Sequence, residues 1–167
     1  MRPDARVTYQ WADGVSRKAG KQVGKRAADR ELKPSEYEAL AMFRYAVRRY
    51  LAFAEAGAKS VGLTSQQHQA LLAIKAHTLH RPMSIGDLAA QLLVKHHSAV
   101  GLFDRLEKAG FVSRSSDVDD RRKVLISLTD AGEEVLAALS AKNLRELRLI
   151  APAFTGLLGE VEKLDAS

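Results

Sequence analysis

The sequence predicts a mainly α fold with a small β-hairpin (α+β), and three observations predict it. Apolar residues recur at helical intervals in successive segments from Pro34 onward. Several of those segments open on Ser or Thr with Glu, Gln or Asp three residues later, the spacing of a capping box. One stretch, FVSRSSDVDDRRKVLISLT, drops the helical period and alternates around a charged centre, as two short strands and a turn would.

The first of these segments, PSEYEALAMFRYAVRRYLAFAEAGAKSVG, begins after Pro34 with Ser35 and Glu38 in box spacing. It continues through Leu40, Phe43, Val47, Tyr50, Leu51 and Ala54 to a glycine at Gly57 or Gly62. A second helix starts at Thr64 with Gln67 as box partner and turns Ala70, Leu71 and Ile74 inward. SIGDLAAQL is a short third helix, with Ser84 as its cap and Asp87 three residues on. Leu93, Val94 and Lys95 then link it to HHSAVGLFDRLEKAG, which ends at Gly110. Two short helices joined by so brief a turn form a helix-turn-helix. In the hairpin, Val124, Ile126 and Leu128 alternate to one face. Thr129 caps a long helix, and Pro152 opens a final one carrying Phe154, Leu157, Leu158, Val161 and Leu164.

A length of 167 residues, 46% of them hydrophobic, suits one domain with a full core. No run approaches the ~18 uncharged apolar residues of a membrane helix, and no apolar segment near the start suggests a signal peptide. The expected location is the cytoplasm, without membrane contact. The absence of cysteine excludes disulfides and thiolate chemistry by this chain. The net charge of +6 points to a polyanionic partner, but Met1 to Lys33 holds nine Lys or Arg against four Asp or Glu, so most of the excess lies there. That segment has scattered glycines and no apolar period, which reads as a flexible leader ahead of the core, in preference to a dedicated nucleic-acid arm.

The segment from His96 to Ala109 carries the functional argument. Ala99, Leu102, Phe103 and Leu106 fall at i, i+3, i+4 and i+7, one buried stripe. Winding of about 100° per residue turns His97, Gly101, Asp104 and Lys108 the other way, with Ser98 on the flank. The outward first turns are therefore His97, Ser98 and Gly101, at a helix end whose free N–H groups suit phosphates or base edges. A mid-helix glycine costs roughly 1 kcal/mol relative to alanine. Gly101 either lets the backbone approach a groove, or packs beneath the hairpin or is simply tolerated there, and spacing alone leaves these open.

His96 and His97 project about 100° apart and cannot easily share a metal, and His77 and His80 lack a cysteine or a close carboxylate beside them. A metal-responsive or metal-handling role for the histidines is thus the secondary reading, with no metal site and no cofactor expected. No HExxH, glycine-rich phosphate loop, nucleophile elbow or cysteine nucleophile marks an enzyme.

From Leu63 to Gly132 the chain resembles the MarR family of winged helix-turn-helix transcription regulators. The residues that carry the likeness are LT at Leu63 and Thr64, IGDLAAQL, VKHHSAVGLFDRLEKAGFVSR and DVDDRRKVLISLTDAG. The resemblance implies a helix-turn-helix domain with the hairpin as its wing, flanked by N- and C-terminal dimerisation helices. The expected segments are 1–33 basic leader, 34–62 N-terminal dimerisation helix, 63–130 DNA-binding lobe and 131–167 C-terminal dimerisation helices. It implies a homodimer that binds double-stranded DNA at a palindromic operator, most simply as a repressor. The recognition helix, about His96 to Lys108, would lie in a major groove and the wing tip in the adjacent minor groove.

On that mapping the DNA contacts are Lys95, His96, His97, Ser98, Gly101, Arg121 and Arg122, with Arg122 the minor-groove arginine. Asp120 would brace the tip with Arg105 as its partner, because a carboxylate is repelled by phosphate. Two departures matter. Gly101 stands where many relatives carry a longer polar or basic side chain, and Asp119 where some carry arginine, so the operator preference should differ. The family also suggests a small aromatic or phenolic effector between the dimerisation helices and the lobe, for which Tyr45, Arg49, Phe53 and His68 are the candidates.

Overall fold

The computed structural model describes residues 32–117 and 124–165. The chain divides into two compact units, 1–38 and 39–167. Helix α1, Pro34–Lys59, opens in the first. Its start differs from the Ser35/Glu38 box expected: the Lys33 N–H donates to the Glu36 carboxylate at 2.6 Å. With Lys33 as cap, Pro34 takes the first helical position, where its missing N–H costs nothing and its fixed φ suits the turn.

The second unit continues α1 and adds α2 (Ser65–Thr78), β1 (Met83–Ser84), α3 (Ile85–Gln91), α4 (His96–Lys108), β2 (Val112–Ser116), β3 (Val124–Leu128) and α5 (Asp130–Asp165). Both internal capping boxes form as expected. Thr64 and Gln67 exchange bonds of 2.8 and 3.2 Å, and Ser84 and Asp87 bonds of 2.9 and 3.2 Å. Burial raises the Asp87 pKa, but bonds from the Ser84 hydroxyl and N–H, with the charges of His77 and Arg81, outweigh it and hold the carboxyl below its usual value.

The expected two-stranded hairpin is the larger part of a three-stranded antiparallel sheet in the order β1-β3-β2. Met83 pairs with Ile126 and Ser84 with Leu125 along the far edge of β3. Two residues are too few to show a period of two, and this strand became visible only through its partner. Met83, Ile126 and Val112 then join Leu71, Ile74, Leu88, Phe103, Leu106, Leu136 and Leu139 in one core. Ala70 and Ile74 face inward as expected.

One other expectation changes. Pro152 does not open a final helix: α5 runs unbroken through it for 36 residues, about 54 Å at 1.5 Å per residue. Proline's φ fits a helix, and the loss is the bond its N–H would have given the Arg148 carbonyl. Much of the apolar stripe of α1 lies at the surface in the single chain. Leu40, Phe43 and Leu51 are exposed, and only Ala39 and Ala58 are buried. Phe43 does meet Phe154 of α5 edge-on, with ring centroids 5.7 Å apart.

The hairpin is closed at its base by a joint between two loops. The Thr129 N–H donates to the Phe111 carbonyl at 3.1 Å, the Thr129 hydroxyl donates to the Gly110 carbonyl at 2.6 Å, and the Gly132 N–H returns to Thr129 Oγ1 at 3.2 Å, capping α5. A Cβ on Gly132 would overlap the Phe111 carbonyl oxygen and stand 3.0 Å from its carbon. Because backbone blocks it, Gly132→Ala should destabilise the fold by about 3 kcal/mol or more, at the upper end of overpacking costs, as measured by urea unfolding. A loss below ~0.5 kcal/mol would show that the joint yields freely.

Candidate nucleic-acid interface

Helix α4 is placed by the stripe expected of it: Ala99, Phe103 and Leu106 are fully buried and Leu102 nearly so. Side chains of this size contribute about 1.5–3 kcal/mol each on burial, enough to fix the helix and hence its opposite face. At the start of the helix Lys95, His96, His97 and Ser98 are exposed, and Gly101, one turn beyond His97 on the face opposite the stripe, is half-buried. Lys95 is the N-cap residue, in extended conformation and making no side-chain cap bond. The first-turn N–H groups therefore keep their partial positive charge beside three polar side chains and a lysine.

The expected tip residues Arg121, Arg122, Asp120 and Asp119 lie outside the described residues. Arg105, the proposed partner of Asp120, is exposed, and its guanidinium is what a Cβ on Gly101 would meet, at 3.7 Å. The residue that sequence reasoning missed is Arg114 of β2. It forms an ion pair with Asp104, reaches Glu107 at 3.3 Å, and sets its guanidinium 5.0 Å from the centre of the Phe103 ring. One arginine thus ties the sheet to the flank of α4 and offsets two carboxylates that would otherwise repel a polyanion. A signal was available: Asp104 and Glu107 share a helix flank at i, i+3 and call for a cation, and Arg114 stands on the same strand face as buried Val112.

The four residues proposed for an effector differ in exposure. Tyr45 and Phe53 are exposed, and Arg49 pairs with Glu146 at 3.7 Å. His68 is only 5% exposed; its Nε2 lies 3.5 Å from the Asn143 amide nitrogen, and burial holds the imidazole below its ordinary pKa. A nearby cleft lined by Gln66, Gln69, Leu92, Val94, Ser98 and Leu102 holds about 50 Å³, room for water but far below the ~300 Å³ of ordinary ligand sites. Among the described residues no three metal-ligating side chains gather, and no helix is long and apolar enough to cross a membrane. The metal reading gains no support.

Comparison with known proteins decides the family. The chain is 32% identical over 110 residues to the transcriptional repressor NicR of Pseudomonas putida, covering 65% of this chain and 68% of that protein. The MarR family model matches residues 61–123. The chain belongs to the MarR family. A second relative, the transcriptional activatory protein BadR of Rhodopseudomonas palustris, is 38% identical over 84 residues, which are 50% of this chain and 48% of BadR. The chain thus spans about half the length of the first relatives it matches. Among solved structures, a mutant of S. aureus MepR bound to an oligodeoxyribonucleotide aligns with a TM-score of 0.56 at 20% identity, over 81% of this chain and 98% of that one. The winged helix-turn-helix fold of MarR proteins is therefore the fold of this chain, and the named relatives are regulators of transcription, not enzymes.

Within this MarR fold, among the described residues, no hairpin atom lies within 4 Å of a Cβ on Gly101; beyond the helix's own backbone only the end of the Arg105 side chain does, at ordinary contact distance. Packing against the described residues does not require the glycine. Gly101→Ala should raise stability by about 0.5–1 kcal/mol in chemical unfolding, and destabilisation instead would return Gly101 to a packing role.

Proposed function

We propose that the protein is a sequence-specific, double-stranded DNA-binding regulator of transcription. The observation that carries this is the placement of α4: with a stripe of four apolar residues buried in the core, Lys95, His96, His97 and Ser98 are left exposed at the helix N-terminus. Gly101 keeps that face low, so the backbone can approach base edges in a major groove. Arg122, the last residue of DVDDRR, is assigned to the adjacent minor groove, with Arg121 beside it and Asp120 bracing the tip.

The partner arrangement proposed is a homodimer on a palindromic operator, with recognition helices about one turn, or ~34 Å, apart. What supports it is the apolar surface that α1 and α5 leave in the single chain, with Leu40, Met42, Leu51, Leu144 and Leu149 all exposed. Repression is the preferred direction, after the relative named as a repressor at the larger coverage. A small aromatic or phenolic effector would meet Tyr45, Arg49 and Phe53 on α1. It would reach His68 only by parting α2 from α5 at the His68–Asn143 contact, and so would move the lobe. The basic segment 1–33 would add nonspecific attraction.

Titrating the protein onto a duplex it binds, by fluorescence anisotropy over a range of salt, should give log K falling by about 0.9 per phosphate neutralised. Arg122→Ala should weaken binding about tenfold or more at equal salt and reduce the slope by about one, with the oligomeric state unchanged in sedimentation. Equal affinity at equal salt would remove the wing from the interface.

A further inference from the structure

Three chain reversals among the described residues close with the same pair of hydrogen bonds. After α1, the N–H groups of Gly62 and Leu63 donate to Lys59 and Ala58, both at 3.0 Å. After α4, those of Gly110 and Phe111 donate to Glu107 and Leu106 at 2.9 and 3.0 Å. After α3, those of Leu93 and Val94 donate to Ala90 and Ala89 at 3.2 and 3.0 Å. This is the Schellman closure, and in each case the residue just past the cap is left-handed, with φ of 78°, 81° and 56°. Two of the three use glycine. The third uses Leu93, the one non-glycine residue with positive φ among the described residues. A Cβ crowds the next carbonyl in that conformation, which makes leucine a costly choice where glycine would serve.

The side chain recovers nothing inside the chain. Leu93 is 84% exposed, more than any other large apolar residue described. A single exposed leucine on ordinary backbone needs no explanation. A leucine that is disfavoured both by its backbone and by water, in the turn that leads into a recognition helix, is a different matter, because strained residues persist at sites of function.

We propose that Leu93 is a duplex-contacting residue: the turn uses it to lay an apolar side chain on a deoxyribose or a thymine methyl as α4 enters the groove. This rests on the DNA-binding reading above. Continuity identifies the occupant, since exposed Lys95, His96, His97 and Ser98 follow within five residues. Their chemistry suits phosphates and base edges, and thymine methyls and sugars are the apolar surface beside them.

The test uses the full chain, a duplex that the parent binds, and three variants. Leu93→Gly relieves the backbone, so its melting temperature should equal or exceed the parent's, while its affinity falls roughly tenfold with an unchanged salt slope, because no phosphate contact is lost. Leu93→Asn, which also tolerates the left-handed region, should lose affinity alike, and Leu93→Met should stay within about threefold of the parent. Replacing thymine with uracil through the site assigns the surface: a loss in the parent but not in Leu93→Gly places Leu93 on a methyl group, and an equal effect in both places it on sugar. Parental affinity in Leu93→Gly would overturn the proposal, as would a changed oligomeric state, which would make Leu93 a contact between chains. If the parent binds no duplex at all, the DNA-binding reading fails first and this one with it.

Discussion

Much of the lobe depends on the joint where Phe111 meets Thr129 and Gly132. Phe111 lies three residues past the end of α4, and Thr129 leads directly into α5, so one carbonyl accepting the Thr129 N–H links α4 to the longest helix among the described residues. The Thr129 side chain works in both directions. It donates to the Gly110 carbonyl and accepts the Gly132 N–H, so that it closes the end of α4 and caps the start of α5 together. Gly132 has no freedom to be anything larger, since backbone fills the space a side chain would need. The sheet between these points is consequently held at its base, and β1 adds a third strand that carries Met83 into the core.

Charge is distributed to match. Most of the excess positive charge lies in 1–33, while among the described residues several charges are paired between elements: Lys75 with Glu133 at 2.6 Å between α2 and α5, Arg49 with Glu146 between α1 and α5, and Arg114 with the two acids of α4. Exposed pairs of this kind contribute only about 0.2–1 kcal/mol each to stability. Their larger effect is on the surface potential. With Asp104 and Glu107 engaged by Arg114, that flank of α4 carries less uncompensated negative charge.

How much of this was legible in the sequence follows from how many residues each feature takes. The stripe of α4 repeats over two turns, and its four buried residues were readable without a structure. The capping boxes at Thr64 and Ser84 were equally plain, because side chain and backbone satisfy each other within four residues. Strand β1 was hidden because two residues have no period. The start of α1 was displaced because Lys33 cannot cap with its side chain, and Pro34 with Glu36 does that work in its place. Pro152 was read as a start because proline favours first turns, although a long helix can forgo one bond. Arg114 and the Phe111–Gly132 joint depend on contacts across 7 to 21 residues of sequence, which local spacing does not report.

The central claim is that α4 presents a reading surface to double-stranded DNA. Selection of the purified full chain against a pool of random duplexes, followed by sequencing of the bound fraction, tests it directly. The account predicts enrichment of a two-fold symmetric sequence whose half-sites are centred about 10 base pairs apart, one helical turn. Recovery of a bound fraction indistinguishable from the starting pool would contradict it, and would leave the exposed face of α4 with no sequence to read.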